Sequence, residues 1–290
     1  MTATATTRAR HQQQSAEQRR ALLAQQRQRS RARRIVLAAT GTVLAVVATL
    51  VVVGVTTGGS SAPVARPNKV PPVVLTGLTS ISDATLASIG RGTSVNPPRA
   101  ISGEARMLDG KPQVLYLGAE YCPFCAVQRW PLIQALSRFG HFMGLQTTRS
   151  AADDVHPNTA TFTFHGVTYM SDYIAFTARE LYTNERVGGS YRPLDKASPD
   201  EAALLQRYGG SFPLLDLGGR FVQVGASYDA NLLRGLEWEQ IAGALGDPKS
   251  PLAQSIDGSA NVLTAAICTL TEQQPTAVCA APAVRAVSRG

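Results

Sequence analysis

Cys122 and Cys125 stand two residues apart in the run Gly118-Ala119-Glu120-Tyr121-Cys122-Pro123-Phe124-Cys125. That spacing lets two thiols close into a small ring, and a pair that opens and closes can exchange disulfides with another molecule. Exchange runs through the thiolate, whose ordinary pKa near 8.5 has to be lowered by the surroundings. The start of a helix does this, because its unpaired N–H groups and positive dipole end favour an anion, and Pro123 suits a first helical turn. Cys122 is therefore expected to be the nucleophile, and Cys125 the resolving thiol. Two other readings compete: half of a zinc site, and a passive local disulfide. The four histidines, at 11, 141, 156 and 165, lie near neither cysteine pair, so no metal site is expected.

The elements that must hold this pair are legible around it. Val114–Leu117 is an uncharged apolar run with the pattern of a buried strand, and the segment after Cys125 is helical to Phe139, closed by Gly140. Cys125, Leu132, Leu136 and Phe139 fall on one helix face, so Cys125 points to the core and Cys122, a turn earlier, to solvent. A short capped helix is expected over 80–90. Strands are expected at 142–148 and 161–164, and helical character at 178–183 and 199–208. Leu214–Leu217 and Phe221–Val224 flank Gly218-Gly219 and form a hairpin, followed by helices at about 231–245 and 261–270. This order is α/β with a mixed sheet.

The chain has 290 residues and a formal charge of +8. Nine arginines against the single acid Glu17 in residues 1–34 account for all of it, and the remainder holds 19 bases and 19 acids. A neutral folded part has no electrostatic footprint for nucleic acid, so no nucleic-acid partner is expected. Ile35–Val55 is a run of 21 uncharged residues, about 31 Å as a helix, which matches a bilayer core of about 30 Å. The expectation is a single transmembrane helix over 35–55 in contact with lipid. The basic tail 1–34 is then cytoplasmic, residues 56–72 form a Gly/Ser/Pro-rich linker, and 73–290 lie outside the membrane. In an oxidising compartment paired cysteines form disulfides. Cys268 and Cys279 are accordingly expected to be a structural disulfide pinning the C-terminal segment, with an electron relay to Cys122 as the rival reading. Asp153-Asp154-Val155-His156 reads as a plain surface turn.

VLYLGAEYCPFC before a helix, and Ser211-Phe212-Pro213 directly before a hairpin, resemble the thioredoxin fold with its cis-proline loop. The resemblance covers about 112–246, with a helical segment 247–290 after it. It implies a mixed sheet flanked by helices, with an insertion of roughly 45 residues between the second strand and the proline loop. It also implies that Pro213 is cis and opposite the cysteines, and that Phe212 offers backbone groups to a bound peptide. Tyr121 stands where thioredoxins carry Trp, and Pro123-Phe124 where they carry Gly-Pro. Their buried acid has no clear match in VLYL. Glu120 is a candidate for proton transfer, against the reading of a solvated loop charge. The complete chain, from basic tail to C-terminal cysteine pair, resembles the membrane-anchored family described as domain of unknown function 929. The expected activity is thiol–disulfide exchange on exported proteins without a cofactor, reset by a membrane redox partner. The alternative is a non-catalytic binding or scaffolding module with two structural disulfides.

Overall fold

The computed structural model describes residues 67–288, all within the second of the two units into which the chain divides, Ala62–Gly290. The tail, the uncharged run 35–55 and most of the expected linker lie outside the described residues. Among the described residues no single helix is long and apolar enough to cross a membrane.

The first elements are β1 (Asn68–Lys69), α1 (Pro72–Thr79) and α2 (Asp83–Ile89). The expected linker ends earlier than its composition suggests, because β1 pairs with a strand at 146–149 and Val70 is buried behind it. Ser82 caps α2 by accepting from the Thr85 N–H, and Gly90 ends it with φ 58°, as the expected helix over 80–90 requires.

The central sheet begins with β2 (Arg99–Ala100), β3 (Met107–Leu108) and β4 (Lys111–Gly118). The helix α3 (Pro123–Leu136) follows. Next come β5 (Gly140–Met143), β6 (Gln146–Arg149), β7 (Ala160–Thr163) and β8 (Thr168–Ser171). These four strands stay out of the central sheet: β1-β6-β7 forms one small antiparallel sheet and β5-β8 a ribbon. The strand expected at 142–148 is thus two strands, parted where Gly144 turns with φ 79°.

The chain then returns to the central sheet as β9 (Ala175–Glu180), which runs parallel to β4 from Gln113↔Ala175 to Gly118↔Glu180. A helix was expected over part of this segment, and pairing along the whole of β4 overrides that local preference. Then follow the hairpin strands β10 (Tyr182–Val187) and β11 (Ser190–Pro193), and the helix α4 (Pro199–Arg207) with Ser198 and Glu201 in a capping box. The hairpin β12 (Leu214–Leu217) and β13 (Phe221–Val224) completes the sheet, with β12 antiparallel to β4. The order is β9-β4-β12-β13, extended by β2 beside β13 and β3 beside β4. Since β9 is the parallel partner of β4, the large insertion lies before the second sheet strand rather than after it. Only the β10–β11 hairpin is inserted between that strand and the proline loop.

Side chains alternate along β4. Val114 and Tyr116 join the larger core with α3, while Leu115 and Leu117 pack with Leu204 and Leu205 of α4 on the other face. Behind α3 lies α6 (Pro251–Leu270), reached through a 3-10 turn (Ala230–Leu233) and α5 (Trp238–Ala244), which Gly235 (φ 71°) separates. The helix expected from 261 starts ten residues earlier, because Ser250 caps it and Pro251 occupies its first turn. The chain closes with α7 (Thr276–Cys279) and α8 (Pro282–Ser288).

A polar pair links α3 to α6. The Gln134 amide donates to Asp257 Oδ1 at 2.9 Å, while Gln134 Oε1 and Asp257 Oδ2 are buried without a partner. Burial pushes the Asp257 carboxyl up to about 7, against the opposing pull of the Gln134 bond and Arg138. Protonation gives Asp257 an O–H donor where the carboxylate has only acceptors. A folded-state pKa above the unfolded value near 3.9 gives stability that is full below pH 4 and is lost as pH rises through 7. Asp257→Asn keeps an acceptor for the Gln134 amide and a neutral donor beside it, without the titration. Its stability in urea should therefore improve relative to wild type by roughly 1.4 kcal/mol per pH unit between about pH 5 and 7, and level off above. A difference that does not vary with pH would mean that Asp257 is ionised throughout.

Candidate functional site

The chain leaves β4 at Gly118 and enters α3 at Pro123, so the four-residue link Ala119–Cys122 sits at the C-terminal edge of the sheet. Cys122 is the N-cap of α3, and its Sγ accepts the Cys125 N–H at 3.4 Å. A thiolate is a stronger acceptor than a thiol, so this position favours ionisation. The Cys122 pKa is lowered, first by its interaction with the Cys125 thiol, then by backbone N–H groups of Cys125 and Phe124 and by the Arg129 charge; burial opposes them. Cys125 goes the other way: it is fully buried, and desolvation together with the nearby Cys122 raises it well above the ordinary thiol value.

Cys122 does not project into solvent as expected; it is 6% exposed. The residues beside it, Tyr121 and Phe124, are themselves packed against aromatic groups from later segments. Tyr191 of β11 stacks on Tyr121 with ring centroids 3.9 Å apart, and its hydroxyl donates to Asp153, which also pairs with Arg186. Phe124, 42% exposed, packs edge-on against His156. Asp153 and His156 thus belong to the rim of the cysteine site, which their surface-turn pattern did not reveal.

Arg129 and Glu180 hold the link from behind. Both are fully buried. Arg129 Nε and Nη2 donate to the two Glu180 oxygens at 2.9 and 2.7 Å, and Nη2 also donates at 2.8 Å to the Ala119 carbonyl, which in turn accepts the Cys122 N–H at 3.3 Å. Burial works against the Arg129 charge, but Glu180 outweighs it and holds the group more firmly protonated than a free guanidinium. Arg129 lies four residues beyond Cys125, on the same face of α3. Neither residue of the pair was singled out in the sequence. An Arg at that spacing after a Cys-x-x-Cys, inside an otherwise apolar helix, is the one available signal, and its partner is 51 residues away.

The other expected site residues divide. Leu214 stands opposite Leu117, which puts Pro213 opposite Gly118 at the same sheet edge as the cysteines. The Phe212–Pro213 peptide is cis, and Phe212 is half-buried against both cores. Glu120 is not a solvated loop charge: it is 4% exposed, and burial raises its carboxyl pKa against the pull of the Thr163 hydroxyl. Cys268 and Cys279 form a disulfide with Cα atoms 5.5 Å apart, tying α7 to the end of α6. This bond belongs to the opposite edge of the sheet. Leu270, two residues on, abuts Gly218, whose N–H bonds the Gln113 carbonyl at the start of β4. From Gln113 to Gly118 the strand rises about 16 Å, so the disulfide and the cysteine link lie towards opposite ends of β4. Trp130 is core, with its indole N–H on the Ala160 carbonyl at 3.0 Å. No group of His, Cys, Asp and Glu able to hold a metal ion occurs among the described residues.

Residues 99–198 match the family described as "Domain of unknown function (DUF929)". The matched stretch takes in β2, β4, the cysteine pair, Arg129, the insertion and Glu180, and stops short of Pro213. No curated protein and no solved structure matches the chain.

Truncating one member of a buried ion pair leaves the other as an uncompensated charge. Arg129→Met should lower unfolding free energy by about 3–5 kcal/mol and raise the Cys122 pKa, read from the pH dependence of its alkylation. Adding Glu180→Met should restore part of the stability and bring the pKa only part of the way back, because the opposing carboxylate is gone but the positive charge is still missing.

Proposed function

We propose that this protein is a thiol–disulfide oxidoreductase with a thioredoxin-like domain, held by residues 35–55 on the extracytoplasmic side of a membrane and acting on exported proteins. The observation that carries the reading is the division of labour within one Cys-x-x-Cys: Cys122 at a helix N-cap has a lowered pKa, and Cys125, one turn deeper, has a raised one. An attacking thiolate and a protected resolving thiol are the two roles exchange needs. The strand order β9-β4-β12-β13, with β4 and β9 parallel and the hairpin antiparallel, supports the fold assignment, and so does the location of Phe212 and Pro213 beside the cysteine link. The uncharged 21-residue run and the Cys268–Cys279 disulfide support an oxidising location outside a membrane.

In the reaction the Cys122 thiolate attacks a substrate disulfide and releases one substrate thiol. Cys125 then attacks the Cys122 sulfur, closing the internal disulfide and freeing the second substrate thiol. The aromatic rim of Tyr121, Tyr191 and Phe124 provides apolar surface for the polypeptide around the reacting bond. A membrane redox partner returns the pair to its starting state.

The second reading, a scaffold in which Cys122–Cys125 is structural, draws on the low exposure of Cys122. The reduction potential separates the two. Equilibrated in glutathione buffers, the pair should show a potential between about −120 and −270 mV. Cys125→Ser should accumulate a mixed disulfide at Cys122, while Cys122→Ser should form none. A potential below about −300 mV, with no trapped adduct, would establish the scaffold instead.

A further inference from the structure

Tyr116 is the bulkiest side chain that β4 places against the cysteine helix, and it is wholly buried. Its hydroxyl has no hydrogen-bond partner, which is uncommon for a buried donor and calls for an explanation. Gly118 makes room for it: a β-carbon there would stand 2.3 Å from Tyr116 Oη. The Arg129 guanidinium lies over the Tyr116 ring, 5.8 Å from its centroid, and Arg129 Nη1 is a second buried donor without an acceptor. Tyr116 belongs to β4 and Arg129 to α3, the helix that carries Cys125, and Cys125 is among the groups that face the Tyr116 hydroxyl.

An orphaned hydroxyl facing a thiol, with a guanidinium close by, makes sense if its acceptor exists for only part of the reaction. A thiol is a weak acceptor, whereas a thiolate is a strong one. Such donors contribute little in the resting dithiol and most when the sulfur carries charge, which is the condition for accelerating a step. We propose that Tyr116 is a further catalytic residue of the cysteine pair, donating its O–H to the Cys125 sulfur as that thiol ionises to resolve the mixed disulfide. The proposal rests on the exchange reading above and deepens it.

The step balances without another reactant. Cys125 gives up its proton and its sulfur attacks Cys122. The Cys122–Cys125 bond forms as the bond from Cys122 to the substrate sulfur breaks. The departing substrate thiolate takes up a proton equivalent to the one Cys125 released, and the two electrons gained by the substrate disulfide come from the cysteine pair. The Tyr116 O–H is donated as a hydrogen bond and stays on its oxygen throughout.

The test uses the full chain in detergent with oxidised glutathione as probe. Formation of the glutathione adduct on Cys122 and its resolution by Cys125 are followed as separate phases across pH 6–10. In Tyr116→Phe the first phase should be unchanged. The second should slow by about tenfold to a hundredfold and move its pH profile upward, as expected for loss of a hydrogen bond to a charged group. Stability of the dithiol form should change little, because the deleted hydroxyl makes no hydrogen bond of ordinary geometry there. Gly118→Ala, which displaces the hydroxyl without removing it, should slow the same phase. If wild type forms no adduct at Cys122, the exchange reading itself fails. If wild type completes both phases and Tyr116→Phe keeps its second-phase rate and pH profile, the role given to Tyr116 is wrong while the exchange reading stands. Equal slowing of both phases would also overturn it, as the mark of a merely structural side chain.

Discussion

Two full charges out of water have to be close and well bonded to persist, and Arg129 and Glu180 meet that condition with a two-pronged contact. The pair is the point on which the cysteine site depends. Glu180 ends the strand β9, Arg129 belongs to the helix α3, and the spare hydrogen bond from Arg129 goes to the Ala119 carbonyl, three residues before Cys122. One contact therefore joins a strand, a helix and the link between them. Hydrophobic packing alone would leave that link free to vary, because it is non-directional. The ion pair gives it a single geometry.

Once the link is held, the unequal chemistry of the two cysteines follows from depth. At the N-cap, Cys122 meets N–H groups that have no helical partner, and the anion is the form that satisfies them. One turn later Cys125 faces core on every side, where desolvation raises the cost of charge. The same buried setting makes the Arg129 charge felt at both sulfurs, since little water screens it.

The inserted segments and the C-terminal helices act on this site from opposite directions. The β10–β11 hairpin and the 151–158 loop bring Tyr191, Asp153 and His156 against Tyr121 and Phe124, the neighbours of Cys122. Behind α3, the helix α6 presents Asp257 to Gln134 and Asn261 to Arg138, so the cysteine helix is held along its far half by polar as well as apolar contacts. The Cys268–Cys279 disulfide fixes the end of α6 at the far edge of the sheet. The chain thus keeps its two free thiols and its disulfide at different places in the fold.

Local pattern was enough for what depends on neighbours in the chain. The strand before Cys122, the helix after it, the β12–β13 hairpin with its Gly-Gly turn and the capped helix ending at Gly90 all rest on short-range sterics and hydrogen bonding, and each lies where its residues suggest. The pairing of Cys268 with Cys279 followed from their spacing and from the oxidising compartment that the uncharged run implied. Tertiary structure decided the rest. Ala178–Thr183 has a helical look, yet its first half completes β9 because β4 offers a row of backbone partners from Gln113 to Gly118, and its last two residues open β10; that choice moved the insertion to the other side of the second strand. Burial of Glu120, the cover over Cys122, and the roles of Glu180 and Tyr116 could not be read locally. Each depends on which segments far apart in the chain exclude water together, and desolvation is a property of the packed volume rather than of any run of residues.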